Sequence, residues 1–190
     1  MKQLKIAIAF LILLVSGGHV FSQDGPPPPP PPLIWKAPAS SEVKRYINSA
    51  HKFSVDFIGD PSVSEGIGVM SHYTVKRPGS LMYVRVIEFA KEDLQKVTVP
   101  EIIQQVKSAY GTTLKYSIVD LLSEKSDAIE FSASDTFHIR RVNARVVNGK
   151  LYELYIDVTN WHILKDHYPE KVKAFNEEAN RFFKSFELQK

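Results

Sequence analysis

The chain has 190 residues, with 24 Lys and Arg, 21 Asp and Glu, and no Cys. This length fits one domain that can bury a core without covalent staples. The lack of cysteine excludes a disulfide framework, a thiolate metal site and a lipid-modified N-terminal Cys. The near balance of charge argues against a nucleic-acid partner, for which a clustered basic face is expected.

The first residues have the pattern of a secretory signal. Lys2 and Lys5 precede an apolar run over residues 6–15, and Val20-Phe21-Ser22 supplies the cleavage pattern. The run is about half of the roughly 20 residues that a membrane-spanning helix needs. We therefore predict cleavage after Ser22 and a secreted or periplasmic protein, with an uncleaved signal anchor as the alternative. Loss of Lys2 and Lys5 would lower the formal charge from +3 to about +1.

Seven consecutive prolines, Pro26 to Pro32, follow the predicted cleavage site. Such a run forms polyproline II at about 3.1 Å per residue, which gives a spacer of roughly 20 Å. We predict a proline-rich linker over residues 23–41 and a globular domain over 42–190. A docking motif for an aromatic-lined groove is the alternative for the prolines. Leu33-Ile34-Trp35 is apolar, so we expect Trp35 to pack on the domain.

The first half of the domain is predicted to be mostly strand. Residues 53–57 alternate apolar and polar side chains and end at a Gly-Asp-Pro turn. Residues 67–76 and 81–89 form a predicted hairpin, in which Pro78-Gly79 suits a type II turn. Residues 91–95 are expected to form a helical turn.

A helix is predicted next. Thr98 and Glu101 fit a capping box, and Pro100 lies in the first turn. The apolar stripe that follows ends at Gly111, which we expect to stop the helix. The stripe consists of Ile102, Ile103, Val106, Ala109 and Tyr110.

Strands return over residues 114–122, 128–132, 137–147 and 151–158. Asn148-Gly149 between the last two is a strong hairpin signal, and a two-residue loop places Val146 opposite Leu151, Val142 opposite Tyr155 and Arg140 opposite Asp157. The apolar alternation changes phase along 137–147. Either a bulge near Arg140-Arg141 explains this, or both faces of the strand are covered.

The last element is a helix that starts at Pro169 and carries an apolar stripe, in which Phe182 is expected to be buried. The order of strands, helix, strands and helix predicts an α+β fold, with helices packed on a mostly antiparallel sheet.

Two segments carry a resemblance to a known family. His51-Lys52-Phe53-Ser54-Val55-Asp56-Phe57-Ile58-Gly59-Asp60-Pro61 near the start and Arg181-Phe182-Phe183-Lys184-Ser185-Phe186-Glu187-Leu188 at the end resemble the PsbP-like fold group. The resemblance covers roughly residues 42 to 188. It implies an α/β/α sandwich around an antiparallel sheet and a non-enzymatic module for binding or assembly. The best-known members assist photosystem assembly, and no residue here carries that role over.

Two sets of residues are candidates for a site. Arg140, Arg141 and Arg145, together with His138, form a basic cluster that could receive an acidic ligand. The alternative is an ion-paired strand face, for which Asp157 is available.

The second set is a group of potential metal ligands, His162, Asp166 and His167. If this segment is helical, His162 and Asp166 lie on one face. The alternative is a polar loop in which Asp166 or His167 caps the last helix, with Trp161 in the core. The chain has no HExxH pattern to strengthen a metal site.

No catalytic residue or cofactor is predicted, because the chain has no GxSxG nucleophile elbow and no phosphate-binding loop. Four tyrosines are expected to be sheet residues, or a binding surface if several share an uncovered face: Tyr73, Tyr83, Tyr152 and Tyr155. The sequence therefore predicts an exported, monomeric, non-catalytic binding or assembly module without stable membrane insertion. Its partner would be an envelope or extracellular protein or a small ligand. The alternative is a metal-dependent enzyme or metal-binding protein that uses His162, Asp166 and His167.

Overall fold

A computed structural model describes residues 35–36, 38–39, 42–65 and 70–189. The predicted signal and the proline run lie outside these residues. The strands are β1 (Val43–Asn48), β2 (Phe53–Ile58), β3 (Ser62–Glu65), β4 (Met70–Arg77), β5 (Ser80–Glu88), β6 (Ser117–Glu124), β7 (Ala128–Ser134), β8 (His138–Val147), β9 (Lys150–Thr159) and β10 (Glu187–Leu188). The helices are α1 (Lys91–Leu94), α2 (Val99–Thr112), α3 (Trp161–His167) and α4 (Pro169–Ser185).

The strands form two antiparallel sheets. The large sheet has seven strands in the order β3-β4-β5-β9-β8-β7-β6, and the small sheet has the order β1-β2-β10. One face of the large sheet, here called face A, packs against the small sheet and α4. The opposite face, face B, packs against α2. This arrangement is an α/β/α sandwich, and it confirms the predicted α+β class.

Both predicted hairpin turns have the backbone that their residues favour. Gly79 has φ 76°, as a type II turn requires, and Asn148 and Gly149 have φ 51° and 75°. The register places Arg140 opposite Asp157 and Val146 opposite Leu151, as predicted. A side chain at position 149 would also crowd Leu94, whose Cδ1 lies 3.2 Å from an ideal Cβ.

The phase change in β8 comes from burial on both faces. Pairing with β9 is continuous from His138 to Val147, so the predicted bulge near Arg140-Arg141 is wrong. Ile139 lies in the core on face A, whereas Val142 lies in the core on face B. The irregularities lie at the edge of the sheet, where the β6–β7 register shifts twice, around residues 119 and 122.

Helix α2 begins as predicted and ends slightly later. Thr98 and Glu101 form the complete capping box. The helix continues past Gly111 to Thr112, so Gly111 is not the stop. Positive φ occurs instead at Lys115, 61°, where the chain turns toward β6.

The segment before the last helix is itself a helix. Residues 161–167 form α3, and the N-cap of α4 is Tyr168, which makes no side-chain capping hydrogen bond. The expectation that Asp166 or His167 caps the last helix is therefore wrong. Phe182 on α4 is 1% exposed, as predicted for its core stripe, while Trp161 is only half-buried.

Candidate functional site

The three arginines of the predicted cluster do not form one group. Successive side chains of a strand alternate between its faces, so Arg140 lies on face B while Arg141 and Arg145 lie on face A. Arg140 Nε donates to Asp157 Oδ2 at 2.8 Å, and the pairing predicted from the register is present. Its guanidinium also lies 4.2 Å from the ring centroid of Tyr155 and 5.0 Å from that of Tyr116. Arg140 is therefore held inside a cage and is not a free cation.

A second charged pair lies beside this cage. Arg85 Nη2 forms an ion pair with Glu153, whose side chain is 2% exposed. Tyr110 on α2 donates to Glu153 Oε1 at 2.7 Å. Burial, followed by the charge of Glu153, raises the pKa of Tyr110 well above its ordinary value, so the hydroxyl stays a donor. This network on face B fastens α2 to the sheet, and sequence reasoning missed it because its members come from three elements, β5, β9 and α2.

The four predicted tyrosines divide between the two faces. Tyr83 and Tyr155 stack on face B with ring centroids 4.5 Å apart. Tyr73 and Tyr152 lie in the core on face A. They do not form a common binding surface.

A polar surface remains on face A, where β7 and β8 lie beside α4. Arg141 is its centre: Nη2 donates to Glu130 Oε1 at 2.5 Å and to Asn180 Oδ1 at 3.2 Å, and Nη1 donates to Asn176 Oδ1 at 3.1 Å. Asn143 donates to the other oxygen of Glu130 at 3.1 Å. We call this surface the Arg141 patch, consisting of Glu130, Arg141, Asn143, Arg145, Asn176 and Asn180.

Arg145 differs from the other two arginines in its pairing. It donates to Asn143 Oδ1 at 2.9 Å, and its guanidinium lies 5.0 Å from the ring centroid of Phe186. Within the described part of the chain it makes no ion pair within 4 Å. Burial lowers the pKa of Arg145, and the more distant Glu130 and Asp127 offset this only in part. The patch thus contains a partly buried cation with unused hydrogen-bond donors.

A serine, a histidine and a glutamate are also linked at the other end of the sheet. The Lys150 ammonium holds the pKa of Glu88 below its usual value, so Glu88 accepts from His51 Nδ1 at 3.0 Å. The neutral His51 ring then accepts a hydrogen bond at Nε2 from the Ser71 hydroxyl, over a distance of 2.9 Å. This order matches a nucleophile, a base and an orienting acid.

The burial of Ser71 argues for a structural role of this chain of hydrogen bonds. Ser71 is 8% exposed. The adjoining cavity has a volume of about 70 Å³, and Ser71 does not line it. The hydrogen bonds tie the turn between β1 and β2 to the large sheet.

The candidate metal ligands lie on α3, the helix that precedes α4. His162, Asp166 and His167 are all exposed, and the His162 ring contacts Phe137 with centroids 5.9 Å apart. Among the residues that the structure describes, no group of three or more His, Cys, Asp or Glu is arranged to hold a metal ion. Metal binding by these residues stays the alternative hypothesis, to be tested in solution.

Comparison with known proteins gives a similarity of fold. No family model matches the chain, and no curated protein matches it. The chain is similar to the solution structure of cyanobacterial PsbP (CyanoP) from Synechocystis sp. PCC 6803, at 11% sequence identity and a TM-score of 0.47. The match covers 90% of this chain and 99% of that one. This similarity assigns no partner, activity or site residue to the chain.

None of the helices in the described ranges is both long enough and apolar enough to span a bilayer.

Proposed function

We propose that this protein is an exported, non-catalytic binding module, held away from its N-terminus by the polyproline spacer, and that the Arg141 patch receives an acidic group of its partner. The observation that carries the proposal is Arg145, a partly buried guanidinium that donates a hydrogen bond to the neutral amide of Asn143. The partner is an envelope or extracellular protein or a small ligand.

The chemistry of the patch favours a carboxylate. A guanidinium offers five N–H donors in a planar fork that matches the two oxygens of a carboxylate. Arg145 is positioned by Phe186 and Asn143, so little side-chain freedom is lost when a ligand binds. Arg141 is already paired with Glu130, so it stabilises the patch and does not offer a free charge to a ligand.

The N-terminal sequence supports the location and the tether. The signal pattern of residues 1–22 favours a secreted or periplasmic protein, and the prolines favour a stiff spacer over a flexible one. A spacer of this kind keeps the module at a distance from the N-terminus of its chain. We propose that the module itself is a monomer.

The test compares Arg145→Glu with Lys96→Glu in pull-downs from the native envelope fraction. Lys96 is exposed in the loop before α2. The substitution Lys96→Glu therefore changes the net charge by the same amount as Arg145→Glu, at a site away from the patch. We expect the unmodified chain and the Lys96→Glu variant to recover partner proteins that the Arg145→Glu variant does not recover. Equal recovery by all three chains would contradict a role for the patch.

A small ligand is tested separately by thermal melts with succinate, citrate and inorganic phosphate. A ligand that binds only the folded state, at a concentration one hundred times its Kd, stabilises that state by about 2.7 kcal/mol. We expect a rise in Tm with a carboxylate that Arg145→Gln removes and Lys96→Gln keeps. A rise that persists in Arg145→Gln would place the ligand elsewhere.

A further inference from the structure

Trp35 lies in the core although it precedes the first strand by seven residues. Its side chain is 1% exposed, and its ring meets that of Phe175 on α4 edge to face, with centroids 6.3 Å apart. Trp161 contacts the same phenylalanine at 6.1 Å. The expectation that Trp35 packs on the domain is confirmed. The described residues 35–36, 38–39 and 42 are here called the Trp35 segment.

Three buried polar groups near this contact lack hydrogen-bond partners. They are Trp35 Nε1, Arg77 Nη1 and both carboxylate oxygens of Glu178. Glu178 lies one helical turn after Phe175, so it belongs to the stripe of α4 on which Trp35 packs. Its side chain is enclosed, with the residue only 6% exposed. An ionised carboxylate in such surroundings has lost its water without gaining a hydrogen bond.

Three charged groups face Glu178, one from each element that packs around it. Arg181 lies on α4, Arg77 ends β4, and Glu42 belongs to the Trp35 segment. Arg77 Nη2 also forms an ion pair with Glu42 at 3.1 Å. Arg77 therefore holds the Trp35 segment through Glu42, while its Nη1 is buried without a hydrogen-bond partner.

We propose that Trp35 and Glu178 form a pH-sensitive latch, in which the Trp35 segment docks on α4 while Glu178 is protonated and is released when Glu178 ionises. Ionisation favours release for two reasons. Undocking returns water to the carboxylate, and a charged Glu178 competes with Glu42 for Arg77. Burial raises the pKa of Glu178 to about 7, so the latch responds close to neutral pH.

Trp35 closely follows the predicted proline spacer in the sequence. Release exposes Trp35 and the surface of α4 that it covers. The packing at the start of the described domain thus depends on the surrounding pH.

The test follows the exposure of Trp35 between pH 5.5 and 8.5 in the exported chain. The chain has two tryptophans, so Trp161→Phe leaves Trp35 as the single tryptophan, whose emission is excited selectively over that of the tyrosines. We expect the acrylamide quenching constant to rise at least threefold as the pH increases past the pKa of Glu178, which is about 7. Glu178→Gln in the same background should keep the constant low at every pH. Glu177→Gln, whose side chain is 67% exposed in the parent, should behave like the parent.

A flat quenching profile in the parent, or a rise that persists in Glu178→Gln, overturns the latch. Hydrogen exchange, measured in the chain that keeps both tryptophans, is a second test that does not depend on whether Trp161→Phe disturbs folding. After correction for the intrinsic pH dependence of exchange, the backbone amides of Lys36, Ala39 and Glu42 should exchange faster at pH 8.5 than at pH 5.5. Glu178→Gln should abolish that difference, and equal acceleration in both chains contradicts the proposal.

Discussion

Arg140 and Arg141 are neighbours in the chain, yet their guanidinium groups lie on opposite faces of the large sheet and pair with different carboxylates. Arg140 binds Asp157 on face B, and Arg141 binds Glu130 on face A. The two charges therefore stabilise different layers of the sandwich. Replacing the whole arginine cluster at once would mix a loss of stability with a loss of binding, so Arg145 has to be tested alone.

Glu153 on face B is expected to be a key residue for stability. Glu153→Gln removes the charge that Arg85 requires and weakens the hydrogen bond from Tyr110. Breaking a buried ion pair by removing one partner costs about 3–5 kcal/mol. Urea denaturation should show this loss, while Glu92→Gln on the exposed side of α1 should stay within about 0.5 kcal/mol. A loss below about 1 kcal/mol for Glu153→Gln would mean that the pair is solvated.

Phe182 fills the space between α4 and β2, where its ring centroid lies 5.5 Å from that of Phe57. Phe182→Ala should therefore lower the free energy of unfolding by about 3–5 kcal/mol. The control is Phe137→Ala, because Phe137 is 57% exposed and its removal leaves no cavity. Similar denaturation midpoints for the two variants would contradict the assigned helix face.

Glu178 should make the folded domain less stable as the pH rises. Its pKa is about 7 in the folded chain against an ordinary 4.5, so the folded state binds more protons between these values. Stability should fall from pH 4.5 to pH 7, by up to about 3 kcal/mol, and stay lower above pH 7. Glu178→Gln should remove most of this slope in urea melts at a series of pH values. An unchanged slope would mean that Glu178 is hydrated in the folded state.

We expect no tight divalent metal site at His162, Asp166 and His167, because all three side chains are exposed on one short helix. Thermal melts with and without Zn²⁺, Mn²⁺ or Ca²⁺ should coincide. A rise of several degrees with one metal, lost in both His162→Ala and His167→Ala, would instead support the metal-dependent alternative.

Signal cleavage is predicted after Ser22. Intact-mass analysis of the exported protein should give a chain that begins at Gln23, with or without cyclisation of that residue. A membrane-retained species that still begins at Met1 would show that the segment is an anchor.

Local patterns were sufficient to predict much of the fold. The Asn148-Gly149 hairpin, the capping box at Thr98 and the stripe of α4 depend on residues close together in sequence, and the structure has all three. Strand β1 was not predicted, because its sequence VKRYIN is largely polar and exposed. It forms because it pairs with β2. The pairing depends on residues outside the segment, so the segment's own sequence does not indicate it.

The candidate site was only partly predictable for a related reason. Proximity in sequence grouped Arg140 with Arg141, although the period of two in a strand separates them. The partners Asn176 and Asn180 come from a helix more than 30 residues later, and no local signal links them to β8. The contact of Trp35 with α4 is longer in range still, so the sequence indicated only that Trp35 would pack somewhere.

The position of β2 between β1 and β10 has a consequence for the order of folding. Glu187 and Leu188 pair with Ser54 and Phe53, so the small sheet joins residues from near both ends of the domain. Arg45 strengthens this closure through Glu187 on β10 and the carbonyl of Ser185. The small sheet cannot be completed until residues 187 and 188 have left the ribosome. A polypeptide that must be threaded unfolded through a translocase, as its N-terminal sequence predicts, is thereby kept from closing its core prematurely.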